Sequence, residues 1–491
     1  MADSKSGLKE NMRSFNIITR QNWPIIISYL IVGLLFILTC NNGFFWDTIQ
    51  LGSNHANYYF ENGFTDILLP DSADSGHIPV FGMYLALVWK VFGREIIISH
   101  LAMLPFIFGI LWQLKILVWK FIKNEYAGLA FLLVLLDPTL LSQITLVSPD
   151  VPLVFFFFLG LNSLLDNKKG LLSLAILLLF LTSMRGIMIS FCLMIIDFIN
   201  NIPFSKSIKE LFVSLIKRFI IYIPAIIVFI SFSIYHYMKK GWIGFHDNSP
   251  WAELFQSVGF KGVIYNIGIL GWRIIDFGRI GIWVVFIILV FKFKRNILNT
   301  RELRMLVFIF LVLLVFLPLN MIWAKNLLGH RYLLPVYLSF SLLCAYILFT
   351  KPLIKKTRFA LASLWLLLLT TGNFWIYPDK IAQGWDSTLA HLPYFKIRKQ
   401  ALEYLDNEKI DYQKVQSFFP NTSAINDVDL NYDKRGFMDF NNCSIYVIYS
   451  NVFNISDIDY NIVKSQYSVI KRFDHGFLHM DICKKKELPK H

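Results

Sequence analysis

The chain has 491 residues, of which 56% are hydrophobic and only 16% are charged, and its mean hydropathy is +0.53. Soluble globular proteins carry about 25% charged residues, so this composition excludes a soluble protein. Many windows hold about 18 or more nearly uncharged apolar residues, which indicates membrane-spanning helices, and the weak alternating pattern of a membrane barrel is missing. We therefore predict an all-α polytopic membrane domain.

The hydrophobic pattern predicts about 11 transmembrane helices. They lie at roughly 23–40, 96–119, 125–147, 150–166, 170–184, 186–200, 219–238, 279–296, 304–323, 331–349 and 359–377. With the N-terminus inside, the inner segments hold most of the basic residues, which is the positive-inside bias of membrane proteins. The net charge of +14 thus reports topology, and we expect no nucleic-acid partner.

Between the first two spans lies an acidic loop, residues 41–79, with no Lys or Arg. Its acids are Asp47, Glu61, Asp66, Asp71 and Asp74. The apolar stretch 79–92 that follows is about 14 residues, or about 21 Å as a helix, which is short for a hydrocarbon core of about 30 Å. We interpret it as an interfacial helix on the outer surface, which leaves the acidic loop and the C-terminal tail outside.

The first apolar run has no A-x-A-type cleavage site and is typical of a signal anchor. The short N-terminus and the lack of eukaryotic sorting motifs favour the plasma membrane of a bacterium, and the ER membrane is the alternative. Cys40, Cys192 and Cys344 are predicted to pack inside the membrane. A disulfide between Cys443 and Cys483 is permitted in the outer tail, although nothing in the sequence sets their distance.

Residues 1–378 are predicted to form the membrane domain, and 379–491 a small soluble α/β domain outside the membrane. The tail begins with a helix-like stretch, "YFKIRKQALEYLDNEK", and continues with strand-like runs, the last two separated by the turn "DHG". A second large outer loop is expected at about 239–278. Because the outer loops are long and the inner loops short, we expect the chemistry on the outer face.

Two aspartates at the outer ends of predicted spans are candidate catalytic residues. Asp47, in "FFWDTIQ", is placed to accept a proton from an acceptor hydroxyl, and its alternative role is a helix cap or a solvated loop acid. Asp150, in "LVSPDVPL", is explained locally by helix capping with Ser148 and Pro149.

Three basic or polar residues predicted to lie on the outer face are candidates for binding an anion. Arg185, in "LTSMRGIM", and Arg331, before Tyr332 in "GHRYLLPV", are either interfacial anchors or partners of a phosphate. His77, in Gly76-His77-Ile78-Pro79, either faces a phosphate or caps the interfacial helix.

Other acids are candidates for the same pocket. Asp137 stands before Pro138 within a predicted span, and an intramembrane acid is a functional hypothesis by default. Asp74 closes the acidic loop. Arg273, Asp276 and Arg279, in "GWRIIDFGRIG", are expected to form a local ion pair.

Five pieces in this order resemble the GT-C superfamily of membrane glycosyltransferases, in particular the protein O-mannosyltransferase and lipid A aminoarabinose-transferase branch. The pieces are Trp46-Asp47 after the first span, Gly76-His77-Ile78-Pro79, Pro149-Asp150-Val151-Pro152-Leu153, Arg185-Gly186, and Arg331-Tyr332-Leu333-Leu334-Pro335. The sequence departs from the family pattern in having Ile78 for the first Pro of a pair, a single Asp47 for an Asp-Glu pair, and Met184 before Arg185. The resemblance covers about residues 1–350.

The resemblance implies an inverting transfer of a sugar from a polyprenyl-phosphate donor to a hydroxyl or amine of a lipid, glycan or protein. Asp47 would be the general base, and Arg331, Arg185 and His77 would hold the phosphate. Asp150 would shape the pocket or bind a metal, and a divalent metal cofactor is left open because some relatives use one and others do not.

Two other classes of function compete with this interpretation. A transporter or flippase of a lipid-linked sugar also needs an anion site between helices, but it predicts internal repeats and paired broken helices, and we find no such symmetry. A simple membrane anchor for the tail does not explain polar residues at the outer helix starts.

Overall fold

A computed structural model describes residues 22–202, 207–244, 256–294, 298–319, 321–325, 329–379, 381 and 383–486. Residues up to the low 370s form an assembly of apolar helices, and the remainder forms a mixed α/β domain. The α-helices of the first part are Asn22–Thr39, His55–Asn62, Val80–Phe92, Ile96–Leu101, Leu104–Phe121, Ala127–Leu135, Pro138–Ile144, Asp150–Leu165, Lys169–Thr182, Met184–Asn201, Ile208–Phe219, Ile223–Lys240, Phe260–Ile275, Ile280–Phe293, Arg301–Phe316, Leu334–Thr350 and Lys355–Gly372.

Within the described residues, five helical segments are long and apolar enough to cross a membrane, or up to seven if each of two bent pairs is one span. The five are Asn22–Thr39, Ile96–Phe121, Met184–Asn201, Ile208–Lys240 and His330–Thr350. Three shorter apolar helices accompany them: Val80–Phe92, Asp150–Leu165 and Lys169–Thr182. The chain is therefore an integral membrane protein, as its composition predicts.

Both bent pairs break at a charged residue. Ala127–Leu135 and Pro138–Ile144 meet at 70°, and Asp137 caps the second helix by accepting hydrogen bonds from the backbone N–H of Thr139 (3.0 Å) and Leu140 (3.2 Å). Proline at the first position of a helix cannot continue the preceding one, which explains the bend. The stretch 125–147, which the hydrophobic pattern predicts as one span, is therefore broken at Pro138.

The second bent pair, Phe260–Ile275 with Ile280–Phe293, meets at 85° and brings Arg279 onto Asp137. The guanidinium donates from Nε to Oδ2 (2.8 Å) and from Nη2 to Oδ1 (2.7 Å), and both side chains are fully buried. The two helix breaks are thus joined by a bidentate ion pair. Gly278 makes the approach possible, since a Cβ there would lie 1.9 Å from the carbonyl oxygen of Leu368.

One expectation for this region is wrong and another is confirmed. Residues 260–275, which the sequence analysis assigned to a long outer loop, form a helix, because their scattered Gly and Trp residues conceal an apolar helical face. The local ion pair expected in this segment forms between Arg273 and Asp276, whose side chains lie 3.9 Å apart, whereas Arg279 pairs with the distant Asp137.

The helix Leu334–Thr350 occupies the centre of the helical assembly. The span to which it belongs is 94% buried, and it packs against Ala127–Leu135 and Arg301–Phe316. Because its own residues are almost all apolar, its position is determined by burial on every side rather than by one hydrophobic stripe.

The C-terminal domain contains a five-stranded mixed sheet in the order β2-β1-β3-β5-β4. The strands are β1 Val415–Ser417, β2 Met438–Asp439, β3 Tyr446–Ser450, β4 Tyr467–His475 and β5 Leu478–Lys485, and the helices are Tyr394–Asn407, Ile425–Asp429 and Asp457–Gln466. β1 pairs in parallel with β2 and β3, whereas β5 is antiparallel to β3 and β4. The predicted helix and the predicted last hairpin are both confirmed.

The five cysteines are all free thiols: Cys443 is exposed and the other four are buried. The disulfide that the sequence permits between Cys443 and Cys483 is therefore not formed.

The C-terminal domain shares a hydrophobic core with the membrane part. Phe45 and Leu146 belong to the same buried cluster as Trp385 and the sheet residues. Polar contacts strengthen this junction: the backbone N–H of Phe44 donates to the carbonyl oxygen of Val428 at 2.8 Å. The domain is consequently seated on the acidic loop and on the region after Pro138.

We expect removal of either partner of the Asp137–Arg279 pair to destabilise the protein by about 3–5 kcal/mol, because the other charge remains buried without a counterion. Thermal unfolding in detergent of Asp137→Leu and Arg279→Leu measures this as a lowered Tm. The double variant Asp137→Leu/Arg279→Met is expected to recover part of the loss. Wild-type Tm values in both single variants would contradict a structural role for the pair.

Candidate functional site

A buried arginine, Arg331, is the centre of the candidate site. It lies in the short 3-10 turn His330–Leu333, just before the central helix, and only 8% of it is exposed. Three aspartates surround its guanidinium: Nη2 donates to Asp47, Nη1 forms an ion pair with Asp386, and Nε lies 3.3 Å from Asp150. Two of these, Asp47 and Asp150, are predicted site residues.

Asp47 is positioned by a tight turn at the end of the first apolar helix. The backbone N–H of Phe45 donates to the Thr48 hydroxyl, and that hydroxyl donates back to the carbonyl oxygen of Phe45, both at 2.8 Å. Trp46 adopts a left-handed backbone with φ of 51°, which is uncommon for a residue with a large side chain. This turn directs the carboxylate of Asp47 toward Arg331.

Asp150 is the first residue of the helix Asp150–Leu165 and is 1% exposed. Its backbone N–H lies 3.2 Å from the Ser148 hydroxyl, the capping arrangement that the sequence predicts. Its carboxylate also accepts a hydrogen bond from Nη1 of Arg185. Asp150 therefore joins the two arginines that were expected to bind a phosphate.

Arg185 lies at the start of the helix Met184–Asn201, next to Gly186. A Cβ at Gly186 would stand 1.8 Å from the carbonyl oxygen of Leu179, so only glycine permits this close approach of consecutive helices. The Arg185 guanidinium lies 4.1 Å from the ring centroid of Tyr332, and that of Arg331 lies 4.9 Å from the same ring. Both guanidinium groups are thus within cation–π distance of the same aromatic ring, which is a favourable electrostatic contact.

The third aspartate, Asp386, was not predicted. It follows Trp385 in a 3-10 turn that connects the last helix of the membrane part to the C-terminal domain. One signal was present in the sequence: Trp385-Asp386 repeats the dipeptide Trp46-Asp47 at the opposite end of the membrane domain. In both cases the indole packs with the core of the C-terminal domain while the carboxylate reaches Arg331.

The remaining predicted residues lie outside this cluster. Asp137 pairs with Arg279, as described above. Asp74 lies 3.1 Å from Nε2 of His236 and accepts a hydrogen bond from the backbone N–H of Gly76 at 2.8 Å. Gly76 has a positive φ of 74° and lies against Gly244, so the turn that precedes the helix Val80–Phe92 depends on a glycine at this position.

His77 is held within the acidic loop, with Nδ1 3.0 Å from the Ser75 hydroxyl. Burial and, to a smaller extent, the positive charge of Arg185 lower the pKa of His77 to about 4. The ring is therefore neutral at physiological pH. If His77 contacts a bound anion, it can donate one hydrogen bond but supplies no positive charge.

A second polar network adjoins the site through His330. Its Nε2 lies 2.7 Å from Oδ2 of Asp276, and Tyr377 donates to the other oxygen of the same carboxylate. Since His330 directly precedes Arg331, this network holds the turn that carries the arginine.

The chemistry available at the cluster is electrostatic and acid–base. Guanidinium groups bind phosphates through a preformed fork of donors, and a carboxylate beside them accepts protons. Within the residues that the structure describes, no group of three or more His, Cys, Asp or Glu side chains has a metal-binding arrangement.

No family model matches the chain, and no curated protein matches it in sequence. Solved structures do match it. ArnT from Cupriavidus metallidurans bound to undecaprenyl phosphate has a TM-score of 0.55 at 10% identity, covering 94% of this chain and 97% of that one. ArnT from the same organism in the apo state has a TM-score of 0.50 with the same identity and coverage. The chain therefore shares its fold with ArnT over nearly the whole length of both proteins.

Acidification is expected to destabilise the fold through His55 and His391, both of which are fully buried as neutral rings. Burial lowers the pKa of His55 to about 3 and that of His391 to about 4, from an ordinary value of 6.5. Between pH 6.5 and 4 the unfolded chain binds protons that the folded chain does not, so the free energy of unfolding falls as pH falls.

The measurement is Tm against pH in detergent, for wild type and for His391→Gln. The variant is expected to show a shallower decline below pH 6.5, whereas His475→Gln, at an exposed position, is expected to follow wild type. A decline in His391→Gln as steep as that of wild type would contradict the assignment.

Proposed function

We propose that this protein is an inverting glycosyltransferase that moves a sugar from a polyprenyl-phosphate donor to a hydroxyl or amine on a lipid, glycan or protein. The observation that carries the proposal is the buried Arg331 with Asp47 and Asp150 on its guanidinium. The same fold is found in ArnT bound to undecaprenyl phosphate, which supports a polyprenyl phosphate as the lipid partner.

In the proposed reaction Asp47 removes the proton of the acceptor hydroxyl. The acceptor oxygen forms a bond to the anomeric carbon while the bond between that carbon and the phosphate oxygen breaks. The electron pair remains on the phosphate, so the products are the glycosylated acceptor and a polyprenyl phosphate. A single in-line displacement inverts the anomeric centre and requires only one carboxylate.

Arg331 and Arg185 would stabilise the charge that develops on the leaving phosphate, because fixed guanidinium donors in a site shielded from water act strongly on such charge. Asp150 would keep the two arginines in a common orientation, since its two oxygens face one guanidinium each. His77 would add at most one neutral hydrogen bond.

The proposal includes a topology. We propose that the short apolar helices add to the five to seven segments long enough to span, giving about 11 spans with 79–92 as an interfacial helix. The bias of basic residues supports a cytoplasmic N-terminus and a C-terminal domain outside the plasma membrane. The acceptor would then be met on the outer face, where the acidic loop and the C-terminal domain lie together over Arg331.

Asp47→Asn tests the catalytic step. Membranes containing wild-type protein are expected to convert added polyprenyl-phosphate sugars to polyprenyl phosphate, detected by mass spectrometry of the lipids. The variant is expected to lose this activity by at least a hundredfold, because no other base acts, while it still binds undecaprenyl phosphate. Asp66→Asn, an exposed acid of the same loop, is the matched control and is expected to remain active.

Retained transfer in Asp47→Asn would remove Asp47 as the base. A wild-type protein that moves the lipid across the membrane without consuming it would favour the flippase.

Cys443 offers a direct test of the topology, because it is the one exposed thiol among the five cysteines. A membrane-impermeant maleimide is expected to label right-side-out vesicles containing wild-type protein, and not those containing Cys443→Ser. Labelling that requires permeabilised vesicles would place the C-terminal domain on the cytoplasmic side.

A further inference from the structure

The charges around Arg331 do not balance. Three carboxylates, Asp47, Asp150 and Asp386, face two guanidinium groups, Arg185 and Arg331, which leaves one net negative charge. A site that only had to hold an anion as tightly as possible would carry the opposite excess. The surplus carboxylate therefore needs an explanation of its own.

Asp386 is the carboxylate to which the proposed reaction gives no role, since Asp47 is the proposed base and Asp150 bridges the two arginines. Asp47 accepts a hydrogen bond from Nη2, and Asp150 is also hydrogen-bonded to Arg185. Oδ2 of Asp386 is buried beside Nη1 of Arg331 but takes part in no hydrogen bond within the described part of the chain. Asp386 thus places a buried negative charge directly against the guanidinium that is proposed to hold the phosphate.

Asp386 also has little freedom to move away. Its backbone carbonyl accepts hydrogen bonds from the Ser142 hydroxyl at 2.8 Å and from Nε2 of Gln143 at 2.7 Å. Its neighbour Trp385 donates from the indole to the carbonyl oxygen of Asn451 at 3.0 Å, inside the C-terminal domain. The turn is anchored on both sides, so the negative charge stays beside Arg331.

The proposed reaction changes the charge of the lipid. The donor is a phosphodiester with one negative charge, whereas the product is a phosphate monoester with up to two, because the electron pair of the broken bond remains on its oxygen. A fixed carboxylate beside the phosphate-binding arginine repels the product more strongly than the donor.

We propose that Asp386 is a positioning residue that competes with phosphate for Arg331 and thereby promotes release of the polyprenyl phosphate product. This inference rests on the proposed function. It assigns the C-terminal domain a part in turnover, since that domain holds Asp386 in place.

The test is a binding titration of the full-length protein in detergent with undecaprenyl phosphate, for wild type, Asp386→Asn and Arg331→Ala. Asp386→Asn is expected to bind the lipid about tenfold more tightly, because one repelling charge is removed at nearly constant shape. Arg331→Ala is expected to bind it more weakly. Asp439→Asn, at an exposed position in β2, is the matched control and is expected to match wild type.

Undecaprenol, which has no phosphate, is the control ligand, and Asp386→Asn is expected to leave its binding unchanged. A gain in affinity is a readout that structural damage does not produce. Unchanged or weaker binding of undecaprenyl phosphate by Asp386→Asn, with Arg331→Ala weakened, overturns the role of Asp386 alone. Equal binding by wild type and Arg331→Ala overturns the phosphate role of Arg331 and, with it, this inference.

Discussion

The way in which the helical part and the C-terminal domain meet depends on the burial of one guanidinium group, that of Arg331. An unpaired charge in a nearly dry environment is strongly unfavourable, so Arg331 must be surrounded by acceptors wherever it lies. Those acceptors come from three separate parts of the chain: the acidic loop, the helix that begins at Asp150, and the connector to the C-terminal domain. A local feature positions each carboxylate beside Arg331. Asp47 follows a tight turn, Asp150 lies at a helix start, and the backbone carbonyl of Asp386 is held by two hydrogen bonds.

The C-terminal domain is structurally part of this arrangement rather than an appendage. Phe45 and Trp385, which flank the two aspartates at either end of the membrane part, are buried in the core of the domain. His391 stacks on Phe45 with ring centroids 5.0 Å apart. Rigid packing of this kind restricts the positions of the neighbouring carboxylates.

Features with a local signature could be predicted from the sequence, and features that depend on distant partners could not. The sequence singles out Asp150 by its helix start and Asp47 by its position after the first span. It singles out Arg185 as a charge between two apolar runs and Arg331 as a basic residue against the positive-inside bias. Asp386 was missed because its partner lies in another helix and no periodic pattern connects them. The ion pair of Asp137 and Arg279 spans 142 positions, so the sequence showed only an acid before a proline. The helix Phe260–Ile275 was mistaken for a loop because its three glycines outweighed its apolar face.

The anchored turn at Trp385-Asp386 has a consequence for how the protein is made. The turn lies beyond the last helix of the membrane part, and its anchor on Asn451 lies later still. During synthesis, Asp47, Asp150, Arg185 and Arg331 therefore exist before their final neighbour. The cluster reaches its complete composition only when the C-terminal domain has been synthesised and has folded onto the acidic loop. A chain truncated before Trp385 would contain all the helices of the membrane part and would still lack Asp386. The site is therefore completed only after the C-terminal domain has been synthesised.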